Sequence, residues 1–291
     1  MNKIIVFTLL FFCIVMQLKA QTLSEEEVSA KMYQAFELNK AGKKAEALAL
    51  FLIVGENTKQ QRDEGERQTY VCSQTMACQC YELLGKYEEG YVLAKKLLQG
   101  TLNNKERKSV GNQYALNGYM YACEFIKRDE KGQADYSRGR SILEEIKPYS
   151  EGKVRSFVLS KISQSWYFEG TDYSLMLKHK EALEAYYKAL AGYQELSKEK
   201  EVISTLKGIA SAKYHLYDIK GSNKTYNNAL TLSRKTGNAS TQMDILQELW
   251  YQNSTAGNIE KAKTYAASMD SLMEVTSDSL AKFTKNFLCP L

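Results

Sequence analysis

Side chains that most often carry catalysis are few in this chain. Histidine occurs twice, at His179 and His215. A zinc-binding HExxH pair needs two histidines on one helix face, and these are far apart in sequence. Serine elbows, phosphate-cradling loops and dinucleotide fingerprints are absent. There are six cysteines, and after the leader described below Cys72, Cys78, Cys80, Cys123 and Cys289 remain, with no CxxC pair among them. Cys72, Cys78 and Cys80 point in different directions on a helix, so they do not converge on a metal. One bridge, from Cys78 or Cys80 to Cys123, stays open. Glu88-Glu89 and Glu144-Glu145 are neighbours of the kind found on a solvated helix face. Glu25-Glu26-Glu27 follows Ser24, so it reads as a helix start whose carboxylates complement the dipole. The expectation is a non-enzyme with no cofactor and no metal.

The chain's periodicity says more than its reactive groups. In the stretch Leu177 to Leu190, Ala182, Tyr186 and Ala189 stand four and three residues apart, so they share one helix face. Leu183, Leu190 and Tyr193 widen that face into an apolar stripe. Lys180, Glu181, Glu184 and Lys188 fill the opposite side. The order small–aromatic–small implies that a second helix comes close at the small residues. The pattern recurs at Ala47/Phe51/Val54, Gly90/Ala94/Leu97, Gly139/Leu143/Ile146, Ser222/Tyr226/Ala229 and Ala262/Ala266/Met269. Its spacing is 40 to 49 residues, the range of a helical repeat.

Turn signals agree with this register. Gly42-Lys-Lys44, Gly85-Lys-Tyr87, Asp218-Ile-Lys-Gly221 and Gly257-Asn-Ile259 each precede a second helix, with Gly supplying the positive φ that reverses the chain. Gly55, Gly100, Pro148 to Gly152, and Thr236-Gly-Asn238 are expected to close second helices. Insertions are expected at Arg128 to Asp135 and near Gly170-Thr-Asp172. Proline occurs only twice, which favours an all-α chain.

These units resemble tetratricopeptide (TPR) repeats. Tyr114-x2-Asn117-Gly118-x2-Tyr121 is similar to the signature of a TPR first helix. Cys78 and Tyr81, Leu159 to Trp166, Leu206 to Tyr214, and Leu246 with Leu249 fill the same places in other units. The resemblance runs from about Glu25 to Met273 and implies a right-handed superhelical solenoid of antiparallel helix pairs, about six degenerate repeats. Stacked pairs cover one another's apolar faces, and the first helices line a concave groove. In that register Asn39, Gln79, Glu82, Asn112, Tyr119, Gln164, Tyr167, Lys207, Tyr214, Gln247 and Tyr251 face inward. Amides can hydrogen-bond a peptide backbone, and tyrosines give rigid amphipathic contact area. The groove therefore suits an extended peptide or a partner helix. Replacing Gln164 and Tyr167 together by Ala should weaken binding without lowering the melting temperature.

The N-terminus is read separately. Lys3 precedes an apolar run from Ile4 to Met16, and Leu18-Lys19-Ala20 ends on a small residue. This reads as a secretory signal peptide cut after Ala20, with residues 21–291 forming the solenoid and a periplasmic or secreted location. The run is shorter than the roughly 20 residues of a membrane span, and no later run is long enough. The whole chain has 39 basic and 34 acidic residues; removing Lys3 and Lys19 leaves it near balance. It has no basic stripe of the kind nucleic acid requires.

A leader followed by long, degenerate repeats is similar to the periplasmic sensory half of bacterial membrane-bound TPR regulators. In that family a transmembrane helix and a cytoplasmic output domain follow, and Met269 to Leu280 is similar to the segment leading to them. Ending at Cys289-Pro-Leu291, the chain is expected to be a truncated or stand-alone relative. The resemblance implies a protein- or peptide-binding sensor, with a scaffold for envelope proteins as the alternative.

Overall fold

The computed structural model describes residues 23–129 and 134–287. The expected leader with its cut after Ala20, and Cys289, lie outside the described residues. Among those residues there are twelve α-helices and no strand. Six are first helices: α1 (Glu25–Lys40), α3 (Glu64–Leu83), α5 (Asn104–Ile126), α7 (Gly152–Leu175), α9 (Glu199–His215) and α11 (Ala239–Thr255). Their partners are α2 (Lys44–Thr58), α4 (Tyr87–Leu98), α6 (Tyr136–Ile146), α8 (His179–Glu195), α10 (Ile219–Lys235) and α12 (Ile259–Phe287). The fold class is all-α, with helix pairs packed in sequence order, as a helical-repeat chain requires.

Contacts divide the chain into two compact units. The first holds residues up to Tyr121 with Pro148–Glu151; the second holds Ala122–Lys147 and everything from Gly152. In the first unit Ala35, Ala47, Phe51 and Ala77 form a core in which Phe36 meets Phe51 edge-on at 5.4 Å. In the second, Tyr226, Ala229, Leu230, Ile245, Leu246 and Leu249 form one core cluster. Tyr186 and Ile209 anchor another. The expected small–aromatic–small faces of α2, α4, α6, α8 and α10 are buried at all three positions. On α12, Ala262 is buried and Ala266 and Met269 are half-buried.

Helix starts follow the sequence. Ser24 and Glu27 form a reciprocal capping box at α1, which satisfies two orphan donors. Asp63, Asp135, Asp218 and Asn238 accept a first-turn N–H at α3, α6, α10 and α11.

Helix stops share one device. Lys43, Lys86, Lys178, Lys198, Asp218, Asn238 and Asn258 each donate an N–H back to a carbonyl five residues earlier. This is the long bond of a Schellman motif, which needs a left-handed residue just before the donor. Gly42, Gly85, Gly237 and Gly257 fill that place in four of the turns. Leu177, Ser197 and Tyr217 fill it in the other three.

Three expectations need correction. Gly55 lies inside α2, where a Cβ would come within 1.7 Å of Gln74 Nε2; its role is close packing, and α2 continues to Thr58. No insertion interrupts α7 at Gly170-Thr-Asp172, because the helix runs unbroken to Leu175. Gly170 is buried beneath the Tyr186 ring, to which a Cβ would approach within 2.9 Å. Gly221 does not reverse the chain either: it sits in the first turn of α10, capped by Asp218, and Tyr217 takes the left-handed place.

Candidate ligand-binding face

The face of interest is built in the second unit by α9 and α11, with α7 alongside α9. Lys207 and Tyr214 stand seven residues apart on α9, as do Asp244 and Tyr251 on α11, so each pair lies on one side of its helix. Their side chains meet across the helix–helix seam. Lys207 Nζ donates to Asp244 Oδ2 at 3.0 Å. The Tyr214 and Tyr251 rings lie 6.4 Å apart, and the Tyr214 hydroxyl is 3.2 Å from Thr255 Oγ1. Tyr251 is 52% exposed, so about half of its surface is available to a ligand.

The ring series continues beyond these two. Tyr214 packs edge-on against His215 at 5.6 Å, and His215 stacks on His179 of α8 at 4.5 Å with an 11° angle between planes. Tyr251, Tyr214, His215 and His179 are thus linked ring to ring across three helices, with the histidine pair turned toward α8 because Tyr214 and His215 are consecutive on α9. Sequence reasoning missed the histidine pair, because nothing local links position 179 to 215. The Schellman turn before α8 brings His179 to the first residue of that helix, opposite the end of α9. Burial, and then His215, lower the His179 pKa below the usual imidazole value, and His179 Nδ1 is buried with no hydrogen-bond partner. Imidazole lone pairs lie in the ring plane, and these two planes are nearly parallel, so the stacked pair does not converge on one ion. Among the described residues no three His, Cys, Asp or Glu side chains cluster as metal ligands.

The remaining expected groove residues take varied places. Gln164 on α7 accepts a hydrogen bond from Lys161 Nζ at 2.8 Å, and Gln247 is exposed on α11. Tyr167 is different: its ring packs against two core clusters and lies 5.7 Å from the Tyr186 ring. Burial raises its phenol pKa, as expected for a core tyrosine. In the first unit Asn39 Oδ1 accepts from Lys44 Nζ at 2.7 Å, bracing the α1–α2 turn. Gln79 and Glu82 are half-buried on α3, and burial holds the Glu82 carboxyl above the ordinary range. On α5, Asn112 is exposed and Tyr119 half-buried.

Cys78 and Cys80 are buried thiols outside any disulfide, and burial pushes Cys78 up to about 12. Neither bridges to Cys123. An open cleft of about 610 Å³ lies elsewhere in the second unit, lined by Arg234, Gln242, Leu246, Thr264 and Leu272. No helix among the described residues is long and apolar enough to cross a membrane.

No family model and no curated protein matches the chain. Several solved helical proteins are similar to it. BtubC (BKLC) from P. vanneervenii has 12% identity over 79% of this chain and 91% of that one, with a TM-score of 0.39. Aspartyl phosphate phosphatase F from Bacillus subtilis has 10% identity over 89% and 77%, also at 0.39. The TPR domain of P58(IPK) has 14% identity over 84% and 73%, at 0.32. Such low identities and scores carry nothing about ligand or activity; the fold rests on the helix pairing itself.

Proposed function

We propose that the chain is an exported, non-catalytic repeat module that binds a protein or peptide segment along the α7–α9–α11 face, and that it serves as a sensor. The observation that carries this reading is the Tyr214–Tyr251 ring pair on the same helix sides as the Lys207–Asp244 pair. Aromatic rings offer contact area at low entropic cost, and the ion pair and exposed amides offer hydrogen bonds to an extended backbone. The apolar leader at Ile4–Met16 supports export.

Peptides selected from a random display library on the full chain would be titrated by fluorescence anisotropy. Tyr251→Ala and Gln247→Ala together are expected to weaken binding at least tenfold while the melting temperature stays constant. Unchanged binding would remove the site. For export, the chain recovered from a periplasmic fraction should begin at Gln21; an intact Met1 would overturn that part.

A further inference from the structure

Beside the linked rings, the second unit has an unusual edge. The α7–α8 turn presents Leu175, Met176 and Leu177, which are 74, 64 and 77% exposed. The α9–α10 turn presents Tyr217, 91% exposed. The stacking of His179 on His215 holds the two turns together, since each histidine lies two residues from a tip. A contiguous group of large apolar side chains in water is unfavourable and marks an interaction surface.

The backbone adds an independent observation. Leu177 and Tyr217 have φ of 59° and 64°, a region that costs any residue with a Cβ and that Gly enters freely. Gly42, Gly85 and Gly257 occupy the equivalent place in three sister turns. At the two adjacent turns bulky apolar residues are held in a strained conformation and aimed at solvent. Strain of this kind concentrates at functional positions.

We propose that this edge docks the chain on an anionic phospholipid surface. The tips project outward, so they suit a soft partner into which side chains can sink. Tyrosine favours the headgroup level of a bilayer, with aliphatic residues below it. Lys178, Lys180 and Lys220 are exposed around the tips, where ammonium groups meet lipid phosphates. Asp218, which caps the Gly221 N–H at 2.8 Å, and Glu181 are also exposed, so the three lysines leave one net positive charge at the tips. Docked in this way, the unit would lie at the bilayer with the linked rings near the lipid surface.

The test compares the full chain with L177G/Y217G on vesicles of phosphatidylcholine with and without phosphatidylglycerol. Both substitutions relax the backbone, so the variant keeps or raises its melting temperature and a folding defect cannot explain a loss. The variant should bind anionic vesicles at least tenfold more weakly than the parent, and the parent should bind neutral vesicles poorly. Residues 1–22 are common to both chains. A second readout at the tip keeps their contribution apart: in Tyr217→Trp, brominated lipid should quench fluorescence beyond the level seen for Trp166 and Trp250 in the parent. Equal retention of parent and double variant with no added quenching at position 217 overturns the proposal. Failure of the parent to bind anionic vesicles also overturns it and leaves the edge to a protein partner. Equal binding to neutral vesicles overturns the anionic assignment.

Discussion

His179 and His215 lie face to face at 4.5 Å although 36 positions separate them in sequence. The contact joins the start of α8 to the end of α9 and makes the second unit sensitive to acid. Burial and the neighbouring imidazole both disfavour the charged form of His179. Its pKa therefore falls on folding, and the unfolded chain binds more protons below about pH 6.5. Stability is full above that value and is lost as pH falls through the folded pKa. Melting temperatures at pH 8 and pH 5.5 should differ more in the parent than in His215→Gln, which removes the second charge. Glu82, raised by burial, acts with the opposite sign but is common to both chains. An equal acid loss in the two proteins would refute the coupling.

Tyr186 explains why two glycines sit inside long helices. A Cβ at Gly170 of α7 would stand 2.9 Å from its ring, and one at Gly208 of α9 would stand 2.7 Å from it. An aromatic ring cannot bend away, so Gly208→Ala forces a shift and should cost about 1–3 kcal/mol. The same substitution in a Tyr186→Ala background should cost much less. A urea-denaturation cycle over the four proteins measures the coupling, and simple additivity would show that the ring is not what requires the glycine.

The helix pairing was legible in the sequence because a small–aromatic–small period is a local property. Ala182, Tyr186 and Ala189 are all buried as their spacing implies. Turns were legible where Gly marks them and hidden where Leu177, Ser197 or Tyr217 takes the left-handed place, since nothing in those residue types announces it. Gly170 gave the reverse error: a glycine that serves a ring contact one helix away looks, in sequence, like a loop. The residues of the proposed binding face were legible only in part. Lys207, Tyr214 and Tyr251 follow from registering the first helices on the repeat, whereas the histidine stack depends on two turns meeting in space.

Tyr167 separates packing from binding. The sequence register places it beside Gln164 on the ligand face, yet its ring fills space between core clusters. Tyr167→Ala should therefore destabilise the chain by about 2–4 kcal/mol, as aromatic truncations in a core do, and lower the melting temperature. Gln164→Ala removes only an amide that accepts from Lys161 and should leave the melting temperature unchanged. Thermal scans of the two single variants distinguish the roles, and equal melting temperatures would return Tyr167 to the surface.

Ser197 offers the sharpest check on the turns. It holds a φ of 52° between α8 and α9, and Gly237 holds 69° in the corresponding turn between α10 and α11. In both, the next residue donates back to the carbonyl five positions earlier, Lys198 to Tyr193 and Asn238 to Ser233. The left-handed region costs a residue with a Cβ about 1–2 kcal/mol, and Gly loses about 0.5–1 kcal/mol more backbone entropy on folding. The balance favours Gly, so Ser197→Gly should stabilise the chain by about 0.5–1 kcal/mol. Ser197→Ala keeps the strain and should gain nothing. Urea midpoints measured at constant slope decide the matter: if both variants move together, the hydroxyl rather than the backbone governs the turn.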